Sequence, residues 1–124
     1  MNNKRPVNLD IATIDLPITA LVSILHRVSG VVLFGAVAVL LWMLDASLTS
    51  EQSFVDLKEC LQSPVAKAVL WLILAGLGYH TVAGIRHLIM DMGVGETLES
   101  GRLGAKFVFG FSFVLIALAG VWVW

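Results

Sequence analysis

Apolar residues in this chain fall into long runs rather than the short alternating segments of a soluble fold. Three stretches, 28–44, 68–85 and 107–124, carry no Asp, Glu, Lys or Arg over 17 or 18 residues. At 1.5 Å per residue each charge-free core covers about 26 Å as a helix, close to the apolar thickness of a bilayer. The first two patterns continue past charged flanks. The reading is therefore three transmembrane helices at about 21–45, 64–91 and 103–124, preceded by an arm over 1–20, all in one domain. Pro17 suits a helix start, Ser63-Pro64 is an N-cap followed by a first-turn proline, and Gly93 and Gly95 suit a helix end. Between the first two spans, Phe54, Leu57 and Leu61 recur at helical spacing among acids. That segment reads as an amphipathic helix on the membrane surface or as an ordered loop.

Composition agrees with lipid as the main solvent. Of 124 residues 58% are hydrophobic and 14% charged, too little polar surface for a small soluble domain. Eight basic and nine acidic residues nearly cancel, which leaves a nucleic-acid partner without electrostatic support. The single cysteine, Cys60, excludes an internal disulfide. The N-terminal region, with Asp10, Asp15, Pro6 and Pro17, resembles neither a secretory signal nor an Arg- and Ser-rich transit peptide. A bacterial inner membrane is the expected location.

Positive charge sets the direction. Lys4, Arg5, Arg27, Arg86, Arg102 and Lys106 lie on one side of the spans, and only Lys58 and Lys67 on the other. Six against two predicts a cytoplasmic N-terminus, an up-down-up path and a periplasmic C-terminus. Trp42, Trp71, Trp122 and Trp124 then all fall at the outer interface, where indole rings favour the headgroup region.

Two polar constellations interrupt the apolar runs. In Ser23-Ile-Leu-His26-Arg27-Val-Ser29-Gly30, a 100° step puts Ser23, His26, Arg27 and Gly30 within about a 100° arc near the inner leaflet. A hydroxyl, an imidazole and a guanidinium on one face suit an anionic or carbonyl-bearing ligand. Snorkelling of His26 and Arg27 to headgroups is the other reading. In His80-Thr-Val-Ala-Gly84-Ile-Arg86-His87-Leu-Ile-Met-Asp91, residues 80, 84, 87 and 91 form one stripe, with Gly76 a turn before His80. Glycines on both sides of His80 give a flat macrocycle clearance, and the imidazole offers an axial ligand to iron. A helix–helix hydrogen bond beside a small-residue seam explains the same pattern. Arg86 is read as meeting headgroups or a carboxylate, His87 as able to reach a propionate or a partner, Asp91 as a cap or a partner for a cation, and Tyr79 as packing.

A six-coordinate b-type haem needs two axial ligands, and His80 is the one histidine read as deep in a span. Such a haem would take its second ligand from another chain.

These motifs resemble the cytochrome b subunits of succinate dehydrogenase, the membrane anchors of complex II, in their proteobacterial form. The resemblance rests on Arg5-Pro6, on Ser-x-x-His-Arg-x-Ser at Ser23, His26, Arg27 and Ser29, and on His-x-x-x-Gly-x-Arg-His-x-x-x-Asp at His80, Gly84, Arg86, His87 and Asp91. It spans almost the whole chain. It implies an all-α membrane protein that pairs with a second three-helix anchor subunit. The two share one haem b and dock an iron–sulfur subunit that carries a flavoprotein subunit. It further implies that His80 ligates the haem iron, that Ser23 and Arg27 bind ubiquinone, and that His26 and Arg27 lie near the haem propionates. His87 carries over less sharply. The implied activity is that of a subunit of succinate:quinone oxidoreductase, passing electrons from succinate to ubiquinone. The alternatives are a purely structural anchor and a b-type cytochrome of another respiratory complex. A small transporter fits poorly, because the spans show no internal repeat.

Overall fold

The computed structural model describes residues 7–10 and 12–124. Lys4, Arg5 and Pro6, which entered the charge count and the first motif, lie outside them. Four helices follow in order: α1 (Ile18–Thr49), α2 (Glu51–Cys60), α3 (Pro64–Asp91) and α4 (Leu98–Val123). There is no strand among the described residues. Helices α1, α3 and α4 are each long and apolar enough to cross a membrane, so the chain is an all-helical, multi-span protein as its runs predict.

Local chemistry sets the ends, and the helices outrun their charge-free cores. Ser63 caps α3 by accepting from the Ala66 amide, with Pro64 in the first turn. At the other end Gly93 adopts φ +80°, its N–H donates to the Met90 carbonyl, and the Val94 N–H reaches back to Ile89. That pair of bonds is the glycine-terminated helix stop, and a Cβ would strain it. Thr97 then caps α4 through the Ser100 amide, so α4 starts at Leu98, ahead of the 103 expected from charge. Helix α1 has 32 residues, about 48 Å at 1.5 Å each, and so extends well past a hydrocarbon core of about 30 Å. The 50–62 segment is a helix rather than a loop. Ser50 and Ser53 form a reciprocal capping box, and Leu57 is buried beneath it.

The three long helices run antiparallel in sequence order. Tyr79 and His80 of α3 meet Val22 and His26 of α1, while Gly76 faces Leu33. On the other side Trp71 of α3 meets Ile116 of α4, Gly78 faces Leu115, and Arg86 meets Gly101 and Gly104. Helix α3 is thus central. The sealed core is Val22, Ala83, Ala105 and Val108, all small, while Phe34, Phe113 and Val121 lie open on the surface. Lipid tails are as apolar as those side chains, so close packing and hydrogen bonds hold the helices together instead of burial of large residues.

Trp71 illustrates both forces. Its indole N–H donates to the Ile116 carbonyl at 3.0 Å, and its ring meets Trp124 edge-on at 6.0 Å. Trp42 and Trp122 are exposed at the same end of the bundle.

The Arg86 contact gives a stability prediction. A Cβ at Gly104 would sit 3.3 Å from Arg86 Nε, whereas a Cβ at Gly110 meets nothing within 4 Å. Gly104→Val should destabilise the bundle by about 1–3 kcal/mol, the usual cost of overpacking. Gly110→Ala should be neutral or slightly stabilising, since alanine favours a helix by up to about 1 kcal/mol. Detergent unfolding of the two variants side by side measures the difference.

Candidate functional site

The polar residues of α1 and α3 meet at one level. The His80 imidazole lies against α1, with Nδ1 2.9 Å from Ser29 Oγ and 3.1 Å from the His26 carbonyl oxygen. Ser29 Oγ itself lies 2.8 Å from that carbonyl, the back-bond common for serine within a helix. The His26 ring stacks on the His80 ring, with centroids 4.1 Å apart and planes 16° off parallel. The His87 ring follows at 5.1 Å from His26, tilted by 46°. Three imidazoles from two helices therefore form a short column, each half-buried.

Glycines make the approach possible. A Cβ on Gly30 would sit 3.2 Å from His80 Cε1, and one on Gly84 would sit 3.3 Å from His26 Nε2. Here the structure corrects the sequence reading. Gly84 was expected to clear space for a macrocycle, but that space holds the His26 ring. Gly76 likewise faces Leu33 of α1 at 3.9 Å. His26, which the sequence also allowed to snorkel toward headgroups, is stacked on His80 instead.

The arc on α1 divides among three surroundings. His26 turns into the α1–α3 seam. Ser23 is half-buried and lines a cavity of about 360 Å³ with Arg86, His87, Met90 and Thr97. Arg27 is exposed on the outer face of α1. Ser23 and Arg27 keep neighbouring places on one face of α1, but Ser23 borders that cavity while Arg27 is exposed outside its lining.

Arg86 differs from its expected headgroup or carboxylate contact. Its residue is buried, and Nη2 donates to the Gly101 carbonyl of α4 at 3.2 Å. Asp91, one candidate partner, is exposed at the end of α3. Tyr79 does more than pack. Its ring lies 6.3 Å from Phe109, and its hydroxyl donates to the Val22 carbonyl at 2.9 Å. Sequence reasoning gave Ser29 no role beyond the motif. The available signal was its place one turn from His26, on the helix that His80 faces.

A bundle of three apolar helices that encloses imidazoles and a guanidinium belongs to the class of membrane anchors built around a polar intramembrane site. Residues 1–119 match the family described as succinate dehydrogenase/fumarate reductase transmembrane subunit, and the chain belongs to that family. It is accordingly a membrane subunit of succinate dehydrogenase, a multi-subunit enzyme. It is 43% identical to the succinate dehydrogenase cytochrome b556 subunit of Coxiella burnetii, with all of both chains covered. It is 33% identical to the subunit of that name from Rickettsia felis, over 98% of this chain and 93% of the relative. The Paracoccus denitrificans subunit is 30% identical, over 92% of this chain and 88% of the relative.

The Tyr79 bond supplies a prediction separate from any ligand. Tyr79→Phe removes one donor in a region without competing water and should lower stability by about 0.5–1.5 kcal/mol. Reversible unfolding in detergent reads the change. An unaltered midpoint would mean that the hydroxyl contributes nothing to the α1–α3 contact.

Proposed function

We propose that this chain carries one half of a haem b site, with His80 as the axial ligand to iron, and that it helps bind the ubiquinone reduced by the complex. One observation carries the reading. His80 Nδ1 is engaged by the His26 carbonyl and Ser29 Oγ. A carbonyl oxygen only accepts, so Nδ1 bears the proton and the Nε2 lone pair is left for a metal. A ligating histidine commonly donates its other N–H to a carbonyl in this way. The residues present therefore fit the group. Among the described residues no set of three His, Cys, Asp or Glu converges on one point. Iron held by His80 must bring its equatorial ligands with it, as a porphyrin does.

The relatives' printed name, cytochrome b556 subunit, supports the same assignment. When bound, the haem supplies one-electron capacity within the membrane. This chain's residues do the rest. His80 fixes one axial position. Arg27 and His26 would face propionate carboxylates, the exposed guanidinium being free to turn toward them. His87 borders the same column and is assigned to the cofactor surroundings with Gly84, whose missing side chain lets His26 approach.

For the quinone, Ser23 supplies a hydroxyl that can donate to a carbonyl oxygen. Arg27 supplies a positive charge that would stabilise negative charge developing on that oxygen, an effect strengthened where water is excluded. Because Arg27 is exposed outside the lining of the Ser23 cavity, the quinone site would be completed by partner subunits. Those partners are a second three-helix anchor subunit giving the other axial ligand, an iron–sulfur subunit delivering electrons, and a flavoprotein subunit oxidising succinate. The location is a bacterial inner membrane, with the arm and the α3–α4 connection on the cytoplasmic side.

Two variants test the assignment in the complex purified from membranes. His80→Leu should remove or grossly alter the reduced-minus-oxidised b-type spectrum. Ser23→Ala should lower succinate:quinone reductase activity by about tenfold, the loss of one hydrogen bond of roughly 1.4 kcal/mol, while haem content stays at the wild-type level. A wild-type complex with no b-type spectrum reduces the chain to a structural anchor. Full quinone reduction in Ser23→Ala removes that serine from the site.

A further inference from the structure

We propose that Ser29 is a positioning residue for the His80 ligand, whose hydroxyl holds the proton on Nδ1 and so sets how strongly Nε2 donates to iron. This rests on the haem reading above.

Three short contacts share one arrangement of hydrogens. The His26 carbonyl accepts and cannot donate. His80 Nδ1 lies 3.1 Å from it, and Ser29 Oγ lies 2.8 Å from it. Ser29 Oγ and His80 Nδ1 are 2.9 Å apart. A serine hydroxyl has one proton and two lone pairs. If that proton goes to the carbonyl, an oxygen lone pair faces Nδ1, which must then be N–H. Each of the three contacts then has a donor and an acceptor, with Nδ1–H shared between the carbonyl and Oγ, and the carbonyl shared between Nδ1–H and the serine hydroxyl. With the proton on Nε2 instead, the Nδ1 lone pair would face the carbonyl lone pairs, and Ser29 would have to abandon its back-bond to serve Nδ1. The pair Ser29 and His26 C=O therefore selects one tautomer, the one that leaves Nε2 bare.

The hydroxyl is held in place as well as polar. Its back-bond within α1 fixes the rotamer, and Gly30 on the next residue lets the His80 ring approach the helix closely. An N–H donated to a good acceptor gains imidazolate character, which strengthens Nε2 as a donor and favours the oxidised iron. Removing the nearer acceptor at 2.9 Å leaves only the carbonyl, so the haem potential should rise.

Space at the site permits a discriminating variant. Ser29 borders an open groove of about 720 Å³ between α1, α3 and α4, lined also by Leu25, Val28, Val32, Tyr79 and Phe109. Threonine keeps the hydroxyl and the back-bond, and the groove has room for its methyl group.

The experiment uses the complex purified from membranes, with wild-type, Ser29→Ala and Ser29→Thr chains. It reads haem per complex, the haem midpoint potential and the low-temperature electron paramagnetic resonance of the oxidised haem. Ser29→Ala should keep its haem, shift the potential upward and move the low-spin signal, and Ser29→Thr should restore both. Loss of haem in Ser29→Ala with a native haem in Ser29→Thr also supports the hydroxyl. Wild-type potential and resonance in Ser29→Ala overturn the proposal. So does a Ser29→Thr chain that behaves as alanine does, because the serine is then needed for its size alone. A wild-type complex without haem overturns the haem reading itself, and this one with it.

Discussion

The backbone carbonyl of His26 accepts from the Ser29 hydroxyl of its own helix and lies within hydrogen-bond distance of the His80 ring from the next. That junction joins α1 to α3 at the level of the imidazole column. It also illustrates how the whole bundle is tied. Four side chains of α3 donate to carbonyls on its neighbours: Tyr79 to Val22 and His80 to His26 on α1, Trp71 to Ile116 and Arg86 to Gly101 on α4. A helical carbonyl already accepts one intrahelical bond and keeps a second lone pair. In lipid that lone pair has no water to satisfy it, so it attracts any donor within reach. Helix α3 uses this acceptor at both ends and in the middle, which fixes its rotation and its height against both partners without a matching polar side chain.

The glycines follow from the same geometry. A donor can reach a carbonyl on a neighbouring helix only if the two backbones come close. Gly30 and Gly84 allow this between α1 and α3, and Gly104 allows it beside Arg86. Each sits beside a large polar or aromatic side chain. The small sealed core, Val22, Ala83, Ala105 and Val108, reflects the same demand for proximity.

Much of this was legible in the sequence. Uncharged length revealed the three spans, and Ser63-Pro64 and Gly93 revealed helix ends, because these signals depend on near neighbours in the chain. The polar residues worth attention were equally visible, since charge and imidazole stand out against an apolar background. What they touch was not. A bond to a carbonyl leaves no trace in the sequence of the accepting helix, as every residue carries one. Hence the sequence pairs Arg86 with a headgroup or a carboxylate where its partner is the backbone of Gly101, and shows Tyr79 as packing where its hydroxyl donates to Val22. The glycines flanking His80 read as clearance for a macrocycle, but periodicity on one helix cannot say what lies against them. The occupant at Gly84 is the His26 ring, which comes from a residue 58 positions earlier. The division of Ser23, His26 and Arg27 among three surroundings arises because helix crossing sets which part of a 100° arc is covered.

The column also bears on how this chain would contribute to the proposed haem site. An imidazole donates to a metal through a lone pair that lies in the plane of its ring. The His26 and His80 rings are stacked face to face at 4.1 Å and 16°, so their in-plane lone pairs lie in nearly parallel planes and neither points across the gap at the other. A haem held by His80 would need a second imidazole whose lone pair also points at the metal. No iron can be bracketed by two rings in this stack. His87 tilts by 46° against His26, but the His26 ring intervenes between it and His80 in the column. On the proposed reading neither His26 nor His87 would serve as the second ligand to a haem held by His80, and that ligand would come from a partner subunit. On that reading the chain would offer one lone pair, at His80 Nε2, and would not bracket the metal between its own rings.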